Sequence, residues 1–558
     1  MTATPIWFGP VGRPLFGWWH VPDGGRARGG VVLCPPFGME AAAAGPALRR
    51  LAQQFEAEGF VVLRFDYDGT GDSVGDGSDP GRVDAWLNSI QTAVDVVLAC
   101  GLARVALVGL RMGATLAAIS AARGTKVDAM ALWDPCPTGR SFLRHERLMR
   151  ELIGIGSVID DGSIEGPGIV FPAETARELS DLSIEETEGM LAPELLVLTR
   201  SDHKPNKAMV SRLSMDHVQW GEVSGQADLI DVPPVFAKIS EPDLQALVSW
   251  LSTLWSGEDT AVEEPARGGA VEKAAVGHDS EGRIIWERIV RLGPHGLFGI
   301  VTESEGTLSG TTAVLLPAGV LDHTGPARLW VDLARSWSRE GLRVVRVDTG
   351  GVGESPPRGG QSNWFVRSPE TVDDVAETIR QLTVPGEKGI VLTGICSGGY
   401  HACEAALAFP LLGIFMVNPS FASKREGIDH DPPGVRREAP PSTRRWAKAL
   451  PAHDLLAGLV YRLPSWVWWI LNRIAVANAP ATTLRRIAER GTEVVLVCNS
   501  PDAWLATRGG KMALKRLGRA RRMEIEVFDD IEHTLLCRDG RDRVVTLLTE
   551  HVRERYGN

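Results

Sequence analysis

Residues 393–400 read "TGICSGGY", and residues 108–115 read "VGLRMGAT". Each stretch follows a run of small and β-branched apolar residues and leads into an alanine-rich segment. Each also frames a central residue between glycines two places before and two places after it: Cys396 between Gly394 and Gly398, and Arg111 between Gly109 and Gly113. Glycines so spaced mark a turn too tight for neighbouring side chains. A tight turn between a strand and a helix, met twice, raises the question of how far the two halves of the chain agree.

They agree along most of their length. At a constant offset of 282 residues, Phe16 and Gly17 match Phe298 and Gly299, and Pro35 matches Pro317. In "VVLRFDYDGTGDS" and "VVRVDTGGVGES", Asp66, Gly69, Gly71 and Ser73 match Asp348, Gly351, Gly353 and Ser355. Further on the register drifts by three, pairing Gly109 and Gly113 with Gly394 and Gly398. "ALWDP" then answers "FMVNP", and "LLVLTRSD" answers "VVLVCNSPD". Register kept through six elements reads as a tandem duplication. A chain of 558 residues is in any case longer than one core usually organises. The expected division is 1–255 and 282–558, with the polar, Gly/Pro-punctuated stretch 256–281 as a linker.

Within each copy, short β-branched runs such as "GVVLCPP", "FVVLRFD", "RVALVGL" and "ELLVLT" alternate with longer helical patterns such as "AGPALRRLAQQFEAEGF". This alternation predicts an α/β fold, a mainly parallel sheet flanked by helices, in each half. The charge balance disfavours nucleic acid: residues 1–260 hold 21 Lys+Arg against 34 Asp+Glu (−13), and the remaining 38 and 36 give +2. Seven cysteines without a CxxC pair suggest neither a disulfide framework nor a zinc site. No apolar run reaches the roughly 20 residues of a membrane span, and "MTATPIWFGP" lacks a signal-peptide layout, so a cytoplasmic location is expected. The "DYDGTGDS" and "DTGGVGES" loops are neither GxGxxG nor P-loops with their lysine, and no cofactor is expected.

Strand, G-x-nucleophile-x-G, helix is the nucleophile elbow, and the whole layout resembles the α/β-hydrolase family in both halves. The family places its acid after a later strand and its histidine last. Here Asp502 follows "EVVLVCNSP", and His533 follows "MEIEVFDDIE". The resemblance therefore implies a triad of Cys396 as nucleophile, His533 as base and Asp502 as the group that fixes the imidazole tautomer. It also implies an oxyanion hole from backbone N–H groups of Ser397 and of Gly319 or Ala318. His323 and His401 are rival histidines, and Asp529, Asp530 and Glu532 are rival acids. Ser397 lies one place past the elbow centre, and Cys403 lacks the register and reads as core.

The N-terminal copy departs from the pattern. A guanidinium cannot be a nucleophile. Asp202 stands at the acid position, but the counterpart of the histidine loop, "EVSGQADLIDVPP", holds no histidine, and His203 and His217 fall elsewhere. This copy reads as a pseudo-enzyme. Arg111 either forms an internal salt bridge or binds a carboxylate or phosphate in the old pocket.

Cysteine in place of serine implies a thioester intermediate, which reacts more readily with amines or thiols than with water. The reading is a thioesterase or acyltransferase acting on a small-molecule acyl group, carried by a carrier protein or coenzyme A. A simple carboxylester hydrolase and a non-catalytic ligand- or partner-binding protein are the alternatives. Similarity in wording to bacterial hydrolases encoded with exopolysaccharide or secondary-metabolite pathways implies a biosynthetic setting. An insertion at 421–490, with Trp466, Trp468 and Trp469 beside Arg462 and Arg473, reads as a helical lid over an apolar pocket or as plain core. The run Arg508, Lys511, Lys515, Arg516, Arg519, Arg521 and Arg522 reads as a solvated helix face or a dock for an acidic carrier. Oligomeric state is left open, a homo-oligomer included.

Overall fold

The structure is a computed structural model. It describes residues 3–557 other than 155–159, 258, 264–270, 307, 359–367, 421–479, 500–516 and 519–520. The chain forms two compact units, one ending at Val276 and the other beginning at Gly277.

The first unit is built on an eight-stranded sheet: β1 (Thr4–Phe8), β2 (Leu15–His20), β3 (Gly30–Cys34), β4 (Val61–Phe65), β5 (Val105–Leu110), β6 (Ala129–Trp133), β7 (Glu194–Arg200) and β8 (Val218–Val223). Its spatial order is 1-2-4-3-5-6-7-8. β1 and β2 run antiparallel to their neighbours, and β4, β3 and β5 through β8 are parallel. The central strands are apolar throughout because helices cover both faces of the sheet. In β3, Val32 and Cys34 join one core and Val31 and Leu33 the other, as period-two alternation requires.

The second unit repeats this plan with one strand more: β9 (Lys273–His278), β10 (Ile284–Leu292), β11 (Leu297–Ser304), β12 (Thr311–Leu316), β13 (Arg343–Val347), β14 (Gly389–Ile395), β15 (Gly413–Val417), β16 (Glu493–Asn499) and β17 (Met523–Phe528). After β9 the order is again antiparallel hairpin strands, then 13-12-14-15-16-17 in parallel. Both units thus have the α/β-hydrolase fold. Even the pairing register agrees, Leu33 facing Arg64 in one sheet and Leu315 facing Arg346 in the other. The stretch 256–281 is corrected in part. Thr260–Ala261 pairs with Arg26–Ala27, and 273–278 forms β9, because the β-branched and alanine residues there find open strand edges.

The two aspartate loops also share one structure. Phe16 N–H donates to Ser73 Oγ (2.8 Å), whose hydroxyl donates to Asp66 O (2.6 Å). Phe298 N–H donates to Ser355 Oγ (2.8 Å), which donates to Asp348 O (2.7 Å). A Cβ on Gly71 or Gly353 would lie 2.1 or 2.2 Å from the carboxylate of Asp66 or Asp348. These loops wrap their own carboxylate, which accounts for the glycines at 71 and 353. The expected lid lies almost wholly outside the described residues; from it the structure describes the helix Pro480–Glu489. Most of the basic run is outside them as well. No helix among the described residues is long and apolar enough to cross a membrane.

Candidate active site

Cys396 and Arg111 sit in the same unusual backbone conformation, φ 54°, ψ −114° and φ 54°, ψ −122°, each as the residue that caps the following helix. Positive φ at a residue bearing a Cβ is strained and persists only where the surroundings impose it. The imposition is visible. A Cβ on Gly394 would meet the Gly398 carbonyl carbon at 2.1 Å, and one on Gly398 would lie 2.7 Å from Pro317 O. Gly109 and Gly113 are equally confined, by Ala114 Cα at 2.5 Å and by Cys34 O and Pro35 O at 2.3 Å. The turn thereby lifts the central side chain off the strand end.

Around Cys396 the backbone is tied on one side to β15: its N–H donates to Val417 O (3.0 Å), and Ser420 N–H donates to its carbonyl (3.0 Å). The next residue, Asn418, has φ 43° and is buried. Its side-chain amide donates to His533 O (2.9 Å) and Glu532 O (3.3 Å), and its Oδ1 accepts from Asn499 N–H (2.7 Å). One buried amide therefore joins the elbow, the end of β16 and the histidine loop. Cys396 also packs on the apolar cluster that holds Ile531 and Leu535, on either side of His533. Sequence reading missed Asn418; the matched "ALWDP" and "FMVNP" were its signal.

Among the rival acids, Glu532 accepts from Thr534 N–H (2.6 Å), Thr534 Oγ1 (2.8 Å) and Cys537 N–H (3.2 Å), so it shapes the loop that carries His533. Asp530 is exposed and pairs with Arg543 at 3.0 Å, and Asp529 is exposed. Asp502 lies outside the described residues. His323 is buried against Asp348, with ring Nδ1 2.9 Å from Oδ2 and its N–H donating to Oδ1 at 2.6 Å. His401 and Cys403 are buried in the helix Ser397–Ala408, and burial pushes the Cys403 thiol well above its ordinary value. The expected oxyanion donors differ in their bonding. Gly319 N–H donates to Ser397 Oγ (2.9 Å), so it is already committed, while the Ser397 N–H is in the first helical turn, where no i−4 carbonyl is available.

In the first unit Arg111 meets two carboxylates. Its Nε donates to Glu40 Oε1 (3.0 Å) and its Nη1 to Asp134 Oδ2 (3.0 Å). Asp134, φ 45°, is the counterpart of Asn418. Gln226, the first residue of the helix Gln226–Ile230 that follows β8, donates to Asp134 Oδ2. Of the two readings of Arg111, an internal salt bridge or an anion site, the structure contains the internal pairs with Glu40 and Asp134. Asp202 pairs with Arg200 (2.8 Å) at the surface. Beside Glu40 lie His145 and Glu146 from the helix Gly139–Ile153. Burial, and then the Glu40 charge, push the Glu146 carboxyl up to about 8 against the pull of Arg111. Burial lowers His145, against Glu40. None of these cluster contacts was legible in the sequence.

No family model matches the chain, and no curated protein matches it. Solved structures similar to it include Est1E from Butyrivibrio proteoclasticus (13% identity, 46% of this chain, 100% of that one, TM-score 0.34). The α/β hydrolase GrgF from Penicillium sp. sh18 is similar at 16% identity, 46% and 98% coverage and a TM-score of 0.35. A dienelactone hydrolase from Anabaena variabilis is similar at 10% identity, 49% and 98% coverage and a TM-score of 0.30. The likeness in each case is one of fold, to about half of this chain.

Proposed function

We propose that the protein is an acyl-transfer enzyme, a thioesterase or acyltransferase, whose chemistry is done by Cys396 of the second unit. The observation that carries this reading is the strained conformation of Cys396 at the start of a helix, held by bonds from β15. His533 takes the proton from the Cys396 thiol, and Asp502 holds the imidazole in the tautomer that can accept it. The thiolate attacks the acyl carbonyl, and the oxyanion that forms is met by the N–H groups of Ser397 and Ala318. Collapse expels the leaving thiol or alcohol, which takes the proton back from His533, and leaves a thioester on Cys396. An acceptor then enters, gives its proton to His533 and carries the acyl group away.

The helix N-terminus lowers the cost of the thiolate. Substrates are thioester- or ester-linked acyl groups on a small carrier such as coenzyme A or on a carrier protein. The two units descend from a duplication, and the first has become a pseudo-enzyme: its elbow carries a guanidinium, and the counterpart of its histidine loop holds no histidine. The enzyme unit spans 282–558, with 421–490 as its lid.

Turnover of an acyl-thioester with increasing hydroxylamine or a small thiol tests the reaction class. Partition into the acyl-acceptor product faster than into free acid supports transfer; release of free acid alone, unaffected by acceptor, makes the enzyme a hydrolase. Absence of Cys396-dependent turnover with any activated acyl donor overturns the proposal.

A further inference from the structure

The pseudo-enzyme unit contains a set of side chains with no role in the chemistry above. Glu40, at the start of the helix Gly38–Ala57, faces His145 and Glu146 on the helix Gly139–Ile153, and one donor atom from each lies within 4.8 Å of the others. Glu40 and Glu146 are 6% and 4% exposed. Glu40 Oε1 is engaged by Arg111, but its buried Oε2 has no hydrogen-bond partner. Buried carboxylate oxygens without donors are costly, and native structures rarely leave them so.

Charge counting points the same way. Glu40, Asp134 and Glu146 set three carboxylates around one guanidinium, Arg111, while the neighbouring Glu165 is already matched by Arg150 at 3.1 Å. With all three ionised, as metal ligands must be, the excess is two negative charges, the amount a dication neutralises. His145, with its side chain 38% exposed, opens the cluster to solvent.

We propose that Glu40, His145 and Glu146 bind a divalent transition-metal ion, zinc or a close relative, in the first unit. One imidazole with two carboxylates suits such ions better than calcium or magnesium, which prefer all-oxygen sites. His145 Nε2 lies 4.0 Å from Glu40 Oε1. Because no two of the three donors are more than 4.8 Å apart, a point within about 2.8 Å of all three exists, and an inward movement of about 0.7 Å or less gives the ~2.0–2.2 Å of zinc to nitrogen and oxygen. Arg111 then has a function: by holding the Glu40 carboxylate it fixes that side chain beside the ion, as partners beyond the ligands do at metal sites. Asp134 holds the guanidinium in turn, and Gln226 holds Asp134.

The test uses the full chain carrying Cys396→Ser, so that metal on the elbow thiol does not contribute. After treatment with a chelator and its removal, Zn2+ is followed by calorimetry and Co2+ by visible absorption. The expected result is one equivalent bound per chain, with affinity at least tenfold weaker in both His145→Ala and Glu146→Gln. Circular dichroism checks folding. Should Glu146→Gln fail to fold, His145→Ala, at a half-exposed position, decides alone. Absence of one saturable equivalent of either ion, or unchanged affinity in the folded variants, overturns the proposal.

Discussion

Cys396 and Arg111 share a strained conformation, yet a glycine at the two positions is expected to have opposite effects. Strain of this kind costs about 1–3 kcal/mol, and glycine returns part of it to unfolded-chain entropy. Cys396→Gly should therefore stabilise the second unit by about 1 kcal/mol in denaturant unfolding while abolishing acylation. Arg111→Gly removes the same strain but strands Glu40 and Asp134, each mostly buried. Loss of a partner from a buried pair costs ~3 kcal/mol or more, so the first unit should become less stable. A stabilised Arg111→Gly chain would contradict the account of the N-terminal elbow. The two residues were visible in the sequence because both stand within one glycine frame. The partners of Arg111 were not, since Glu40 comes from 71 residues earlier and is brought near only by packing.

At the scale of elements, the strand ends organise the site. β15 fixes the Cys396 backbone through Val417 and, through Asn418, fixes the loop after β17 and the end of β16. The strands and their alternation with helices were legible because period-two burial and βαβ alternation are local signals. A single amide holding three strand ends together is a long-range fact, and no spacing rule announces it. Asn418→Gly keeps the positive φ of the position without strain while deleting the side chain. We expect acylation of Cys396 to slow at least tenfold, with a shifted pH profile and little change in thiol accessibility to a small alkylating agent. Acylation at the parental rate would show that Asn418 supports the fold and does not position His533.

For the whole molecule, the 282-residue offset made the two-unit architecture readable, because matching loops repeat their glycines wherever a carboxylate must be wrapped. What composition did not reveal is the buried charge of the first unit. Its Glu146 carboxyl, raised to about 8, holds a proton in the folded state that the unfolded chain, near 4.5, has released. A raised acid contributes stability that is lost as pH climbs from the unfolded value through the folded one. His145, lowered by burial beneath its ordinary 6.5, acts oppositely, on the acid side. Between pH 6.5 and 8, in the presence of chelator, the first unit should thus lose about 1.5 kcal/mol, measured by denaturant midpoints. Glu146→Gln should flatten that dependence; an unchanged slope in the variant would contradict the assignment to Glu146.

The central claim concerns the sulfur of Cys396 and the imidazole of His533, and intact-mass analysis of the full chain after brief exposure to a series of acyl-thioesters tests it most directly. The account expects a single acyl adduct that maps to Cys396, is absent from Cys396→Ala, and forms at least a hundredfold more slowly in His533→Ala. An adduct that forms as fast without the imidazole, or none with any donor, would contradict it.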